Sequence, residues 1–111
     1  MTVQQLPSTS AAVIARVFPE LAAQWHAETG HYSDMERAAA HPIYRALIAL
    51  GNRVVPCMLD DFRRPHPQHW FIALFEITGE DPVAPEDRGN IRRMADAWLK
   101  WGEKHGYTAR P

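Results

Sequence analysis

The feature that most constrains the fold is a helical spacing of apolar residues, interrupted at short intervals by proline and glycine. The clearest stretch holds six apolar residues that recur mostly three or four positions apart: Ile14, Val17, Phe18, Leu21, Ala22 and Trp25. Such spacing places apolar side chains on one face of a helix. The same periodicity returns several times along the chain, and no strand hairpin is recognisable. The sequence therefore predicts an all-α protein, a bundle of about five or six short helices.

Proline and glycine indicate where these helices begin and end. Pro19 lies inside the first apolar stretch, and because proline loses a hydrogen bond and clashes with the preceding turn, we expect a kink or break near residues 17–18. Gly30 is expected to end that helix. Ser33, followed three positions later by Glu36, fits a capping box and predicts the start of the next short helix.

Residues 70–77 are apolar at nearly every position. A helix that is apolar on all sides is usually buried at the centre of a fold, and Gly79 suits the residue that ends it. A short aromatic strand is the alternative, but the segment lacks alternation, so we predict a central helix. A last helix is predicted at about residues 90–105, with Asp96 and Lys100 as an i, i+4 ion pair.

Length and composition fit one globular domain. The chain has 111 residues, of which 46 % are hydrophobic and 23 % charged, so it can bury a modest core without disulfides or bound metals. We expect a flexible arm over residues 1–8, a single helical domain over 9–106 and a tail over 107–111. No signal peptide or membrane span is recognisable, and the single cysteine excludes an internal disulfide, so a cytoplasmic location is expected.

The segment ALIALGNRVVPCML, residues 46–59, resembles a HEAT-type helical repeat. In that family a first helix ends in a Leu-Gly turn and a Val-Pro begins a second, antiparallel helix. The resemblance covers about residues 41–79 and implies a helical hairpin in which Gly51 supplies a left-handed cap and Pro56 fixes the entry of the second helix. Solenoids need several stacked repeats. The resemblance therefore implies a small domain built on a HEAT-like hairpin, not a long concave scaffold.

The wider layout resembles a family of small uncharacterised bacterial proteins. Four segments carry this likeness: WHAETGH at 25–31, HPIY at 41–44, TGEDPV at 78–83 and WLKWG at 98–102. The resemblance implies a bacterial origin and supplies no catalytic residues.

The six histidines and the single cysteine predict no metal, cofactor or nucleophile. His26 and His31 would lie on different faces of a helix. His66 and His69 have a spacing that can hold a metal, but His66 lies between two prolines and no further ligands follow. Cys57 lies in an apolar helix and is expected to be a buried, inert thiol.

A partner-binding surface is predicted near the last helix. Charged residues surround the loop after Gly79, where Glu80-Asp81 before Pro82 could fix the loop onto arginine side chains, and rigid charged loops often serve recognition. Exposed tryptophan is typical of interfaces, and of two tryptophans three positions apart in the last helix one could reach the surface, whereas the alternative is that all four tryptophans fill the core. The predicted site residues are Glu80, Asp81, Arg88, Arg92, Arg93, Trp98 and Trp101.

These patterns predict a non-enzymatic protein-interaction or regulatory module of the bacterial cytosol, with another protein as its partner and no catalytic residues. One concrete form is the antitoxin-like component of a two-gene toxin–antitoxin or defence pair. One alternative is a small enzyme that uses His31, His41 and Asp81. Another is nucleic-acid binding through Arg63, Arg64, Arg92 and Arg93, against which the formal net charge of -1 argues.

Overall fold

The computed structural model describes residues 10–107, and within this range the protein has six α-helices, two 3₁₀ turns and no strand. The helices are α1 (Ala11–Thr29), α2 (Met35–Ala39), α3 (Pro42–Ala49), α4 (Val55–Asp61), α5 (Phe71–Thr78) and α6 (Ile91–Lys104), and the 3₁₀ turns are Gly51–Val54 and Pro85–Asp87. The predicted all-α fold is confirmed. The predicted arm over 1–8 and most of the predicted tail lie outside the described residues.

The chain divides into two compact units, one ending at Val54 and the other beginning at Val55. The first unit contains α1, α2, α3 and the turn Gly51–Val54, and the second contains α4, α5, α6 and the turn Pro85–Asp87. The single domain over 9–106 remains a prediction. So does the HEAT-like hairpin, whose two helices, α3 and α4, belong to different units.

Helix α1 runs without interruption through Pro19, so the break expected near residues 17–18 is wrong. Its buried face contains Ile14, Phe18, Ala22 and Trp25, while Pro19 itself is exposed. A proline inside a helix costs about 3 kcal/mol. Burial of each large apolar side chain stabilises by about 1.5–3 kcal/mol, so the packing of this face outweighs the proline.

The starts of α2 and α3 are set by side-chain caps. Asp34, not Ser33, is the N-cap of α2, and its Oδ1 accepts a hydrogen bond from the Glu36 backbone N–H at 2.9 Å. The capping box was thus predicted one residue early, because serine and aspartate both cap well and stand side by side. His41 caps α3 through Nδ1, which accepts from the Ile43 backbone N–H at 3.1 Å.

Trp25 joins the helices of the first unit. Its indole Nε1–H donates to the Ala38 carbonyl of α2 at 2.8 Å, and its ring lies 5.0 Å from the Tyr44 ring of α3. Both aromatic residues are buried. A single side chain of α1 therefore contacts both of the helices that follow it.

In the second unit, Asp61 connects the end of α4 with the segment that leads into α5. Its buried carboxylate accepts from the Trp70 indole Nε1–H at 3.0 Å, from the Gln68 backbone N–H at 2.9 Å and from Arg64 at 3.1 Å. This fixes the segment that connects α4 to α5, where the Phe62 and Phe71 rings stack with centroids 4.9 Å apart.

Helix α5 confirms the predicted helix over 70–77, and Gly79 ends it in the left-handed conformation at φ 75°. The expected burial on all sides is wrong. Ala73 and Leu74 are buried, but the Phe75 side chain is 53 % exposed, and Phe71, Ile72 and Ile77 are partly exposed. A small unit does not cover the whole circumference of this eight-residue helix.

Helix α6 begins at its N-cap Asn90, whose side chain accepts from the Arg93 backbone N–H at 3.1 Å. Asp96 pairs with Arg92, one turn before it, at 3.3 Å, in place of the predicted pair with Lys100. Arg92 is fixed near Asp96 by two further hydrogen bonds, to the carbonyl oxygens of Phe62 and Arg64. None of the described helices is long and apolar enough to cross a membrane.

Candidate functional site

The loop between α5 and α6, residues 79–90, is held by its own side chains. Thr78 Oγ1 donates to the Leu74 carbonyl and accepts from the Glu80 backbone N–H at 3.1 Å. The Asp81 carboxylate accepts from the Val83 backbone N–H at 3.2 Å and from Arg88 at 2.6 Å. The expected fixing of this loop by an arginine is confirmed. The loop therefore presents a fixed set of charges between the two helices.

An open apolar groove of about 460 Å³ lies between α5, the loop and α6. We call it the apolar groove, and it is lined by Phe71, Ile72, Phe75, Glu76, Asp81, Val83, Arg88, Met94 and Trp98. Trp98 and Val83 are buried, whereas Phe75 is the most exposed large apolar side chain of the described residues. The Asp81–Arg88 ion pair contributes the charged part of its wall.

A second groove, of about 620 Å³, has a mixed lining. Its walls are Glu80, Pro82, Asp87, Arg93, Asp96, Ala97, Lys100, Trp101, Lys104 and His105. Three carboxylates here balance three cationic side chains, and Arg93 pairs with Asp87 at 3.4 Å. The balance leaves this mixed groove with no strong preference for a ligand of either charge.

Both tryptophans of α6 are buried, Trp98 with 1 % and Trp101 with 8 % of its surface exposed. Of the two alternatives, a tryptophan at the surface is therefore wrong, and tryptophans that fill the core are confirmed. Residues three apart on a helix lie about 60° apart, so one broad apolar face holds both. Their rings meet edge to face at 5.1 Å, and Trp101 also stacks on His105 and Tyr107.

The structure brings six of the seven predicted site residues to the two grooves. Asp81, Arg88 and Trp98 line the apolar groove, and Glu80, Arg93 and Trp101 line the mixed groove. Arg92 lines neither, because its guanidinium donates to the carbonyl oxygens of Phe62 and Arg64.

Sequence reasoning missed the apolar side chains that open the groove, namely Phe71, Phe75 and Met94. For Phe71 and Phe75, which belong to α5, a signal was present in the sequence. An apolar run that covers every side of so short a helix exceeds what one small unit can bury, and the excess marks an outward face. The run alone does not say which residue faces outward, because this depends on how α5 packs.

The four arginines proposed as phosphate contacts all have partners within the chain. Arg63 lies 3.5 Å from Asp60, and Arg64 lies 3.1 Å from Asp61. Arg92 bonds two carbonyl oxygens, and Arg93 pairs with Asp87. A phosphate would have to compete with these partners, so the arrangement disfavours nucleic-acid binding.

The histidine and carboxylate residues proposed for an enzyme are also engaged. His41 accepts the Ile43 N–H on Nδ1, so its Nε2 carries the proton that it shares with Glu28 at 2.7 Å. Neither ring nitrogen of His41 is then free to take a proton from a substrate. His31 packs edge-on against the Tyr32 ring at 4.7 Å, and both carboxylate oxygens of Asp81 accept hydrogen bonds.

Cys57 lies in an environment that disfavours a reactive thiolate. Burial, with the charge of Asp60 as the smaller cause, raises the pKa of the Cys57 thiol above its ordinary value. Burial also lowers the pKa of His69. Between residues 10 and 107 no three histidine, cysteine or acidic side chains converge to hold a metal ion.

Comparison of the chain with protein-family models, with curated proteins and with solved structures gives no match. The geometry of the two grooves is therefore the basis on which a function is assigned.

Proposed function

We propose that this protein is a non-enzymatic protein-interaction module of the bacterial cytosol, and that it docks another protein in the apolar groove. A regulatory or antitoxin-like member of a two-gene pair is the form this proposal takes. The single observation that carries it is Phe75, a large apolar side chain 53 % exposed on the wall of an open groove.

The energetics favour a partner over solvent at this groove. Full burial of a phenylalanine side chain is worth about 1.5–3 kcal/mol, so covering the exposed half of Phe75 would contribute roughly 1 kcal/mol. Phe71, Ile72 and Met94 are partly exposed beside it and would add to that gain. Contiguous apolar surface with a charged edge is typical of protein interaction sites.

The fixed loop supports the same proposal. Because Arg88 and Asp81 are already paired and Asp81 also caps the Val83 N–H, the groove keeps its shape without a ligand. A preformed groove loses little conformational entropy when a partner binds, which leaves more of the contact energy as affinity.

The test is light scattering on protein co-expressed with the neighbouring genes of its host. We expect a stable hetero-complex that Phe75→Asp abolishes, because the substitution places a charge in the apolar contact. The matched control is Val17→Asp in α1 of the first unit, which alters the other large hydrophobic side chain that is exposed among the described residues. It should leave the complex intact.

Two results would contradict the proposal. One is a monomer with no partner among the co-expressed proteins. The other is a complex that persists undiminished when Phe75 is replaced by aspartate and the protein remains folded by circular dichroism.

A further inference from the structure

We infer that the occupant of the apolar groove is a basic amphipathic helix, a segment with an apolar face and lysine or arginine beside it. This inference rests on the proposed function, because it names the chemistry of the partner that the same groove accepts.

Negative charge is concentrated in the segment that forms the groove. Residues 71–98 hold six acidic and three basic side chains, a formal charge of -3, whereas the whole chain has a formal charge of -1. The remainder of the chain therefore carries a formal charge of +2, and the groove-forming segment is the acidic part of the molecule.

The basic side chains of this segment are neutralised within it. Arg88 pairs with Asp81 at 2.6 Å, Arg93 with Asp87 at 3.4 Å, and Arg92 with Asp96 at 3.3 Å. Glu80 and Glu86 have no ion-pair partner among residues 10–107, and both are exposed. Both glutamates belong to the loop whose Asp81 and Arg88 line the groove, so the uncompensated charge of that loop is negative, and a cationic partner complements it.

The apolar side chains of the groove follow two helices. Phe71 and Phe75 are one turn apart on α5, and Met94 and Trp98 are one turn apart on α6. An amphipathic partner helix also has apolar side chains one turn apart, and a helix laid in an apolar groove is a recurrent mode of peptide recognition. Helix α5 has eight residues, a length of about 12 Å, which two turns of a partner helix would match.

The same charge disfavours a second copy of this chain. A symmetric dimer through the apolar groove would bring two segments of formal charge -3 together, and such like-charge contacts weaken association. A cationic helix from a different protein meets no such repulsion.

The experiment compares three synthetic helical peptides that share one leucine-rich face and differ only in their polar face, which is lysine, glutamine or glutamate. Each is titrated into the full-length protein, and affinity is followed by the intrinsic tryptophan fluorescence of the protein and by backbone amide chemical shifts. We expect the lysine peptide to bind about tenfold more tightly than the glutamine peptide at about 50 mM salt. The glutamate peptide should bind most weakly, and the gap should narrow at about 300 mM salt.

Two double variants and one single variant separate the contribution of charge from that of apolar contact. Glu80→Gln combined with Glu86→Gln should weaken the lysine peptide about fivefold and leave the glutamine peptide unchanged, in keeping with the modest value of exposed charge pairs. Glu20→Gln with Glu36→Gln, exposed acidic positions of the first unit, is the matched control and should change neither peptide. Phe75→Ser, which removes the apolar side chain and adds no charge, should weaken the lysine and glutamine peptides alike.

The outcomes distinguish the two proposals. If the lysine and glutamine peptides bind with equal affinity and both depend on Phe75, the basic partner is overturned. Docking in the apolar groove is then retained. Lysine-peptide binding that Phe75→Ser does not weaken would indicate non-specific charge attraction and would overturn the basic partner. A homodimer dissolved by Phe75→Asp would overturn it in favour of self-association. No binding by any peptide would count against the docking groove itself.

Discussion

At the scale of single residues, Asp61 anchors the connection between α4 and α5 in the second unit. Its buried carboxylate, 4 % exposed, accepts hydrogen bonds from the Trp70 indole and from the Gln68 backbone N–H. Asp61→Ala would leave both donors without this acceptor, and we expect a loss of about 2–4 kcal/mol in the free energy of unfolding. Asp61→Asn keeps one acceptor oxygen and should lose less.

Urea denaturation followed by tryptophan fluorescence measures this loss. Asp60→Ala is the matched control, because Asp60 is the neighbouring, exposed carboxylate, paired with Arg63. It should change stability by no more than about 0.5 kcal/mol. Equal effects of the two alanine variants would show that Asp61 is not the anchor of this segment.

The shifted pKa of Glu28 makes the stability of the fold depend on pH, and the direction of the shift gives the sign of that dependence. Hydrogen bonds from Gln24, the larger cause, and from His41 lower the pKa of Glu28 below its ordinary value. A carboxyl whose pKa is depressed by folding stabilises the fold above its unfolded pKa, and this contribution is lost as the pH falls through the folded pKa. We expect the pKa of Glu28 to rise on Gln24→Ala and also on His41→Ala.

Titration of the Glu28 side-chain carbon by NMR measures that pKa directly. Glu20, an exposed glutamate of the same helix, is the internal reference in every sample. A Glu28 titration that neither substitution moves would contradict the hydrogen-bonded arrangement.

At the scale of secondary-structure elements, Arg92 ties α6 to the end of α4. Its guanidinium donates to the carbonyl oxygens of Phe62 and Arg64, and its Nε lies 3.3 Å from Asp96. Lysine keeps the charge but cannot reproduce this planar fork. We expect Arg92→Lys to lower the free energy of unfolding by about 1–2 kcal/mol, as measured by chemical denaturation. Arg93→Lys, at a more exposed ion pair, should be nearly neutral, and a reversed order would contradict the role of Arg92.

Helix types and ends could be predicted from the sequence where a local signal decides them. Gly79 ends α5 in the left-handed conformation because glycine adopts positive φ without strain. Continuity at Pro19 could not be predicted, because packing of the Phe18 and Trp25 face outweighs the local cost of proline. Local rules fail where tertiary burial competes with them.

At the scale of the whole molecule, the charged part of the candidate site could be predicted and its apolar part could not. Asp81 and Arg88 are close in sequence and form their pair within one loop, so their spacing is informative. Phe75 and Met94 meet in the groove only through the packing of α5 and α6, which no local pattern specifies. Sequence periodicity shows that α5 has more apolar side chains than one small unit can bury. The packing of the helices determines which of these side chains are exposed.

The charge distribution also predicts that the protein does not bind nucleic acid. With a formal net charge of -1, and with Arg63, Arg64, Arg92 and Arg93 bonded internally, we expect no mobility shift of duplex DNA even at about 50 mM salt. A shift that weakens with salt and is reduced by Arg63→Gln with Arg93→Gln would contradict this expectation.

The most direct measurement of the docking groove is site-specific photo-crosslinking in the native host. A photoreactive phenylalanine derivative is placed at position 75, and in a control strain at position 17. We predict that position 75 gives an adduct with one protein through a helical segment with lysine or arginine beside its apolar face, and that position 17 gives none. No adduct at position 75, or the same adducts from both positions, would contradict a docking function for the apolar groove.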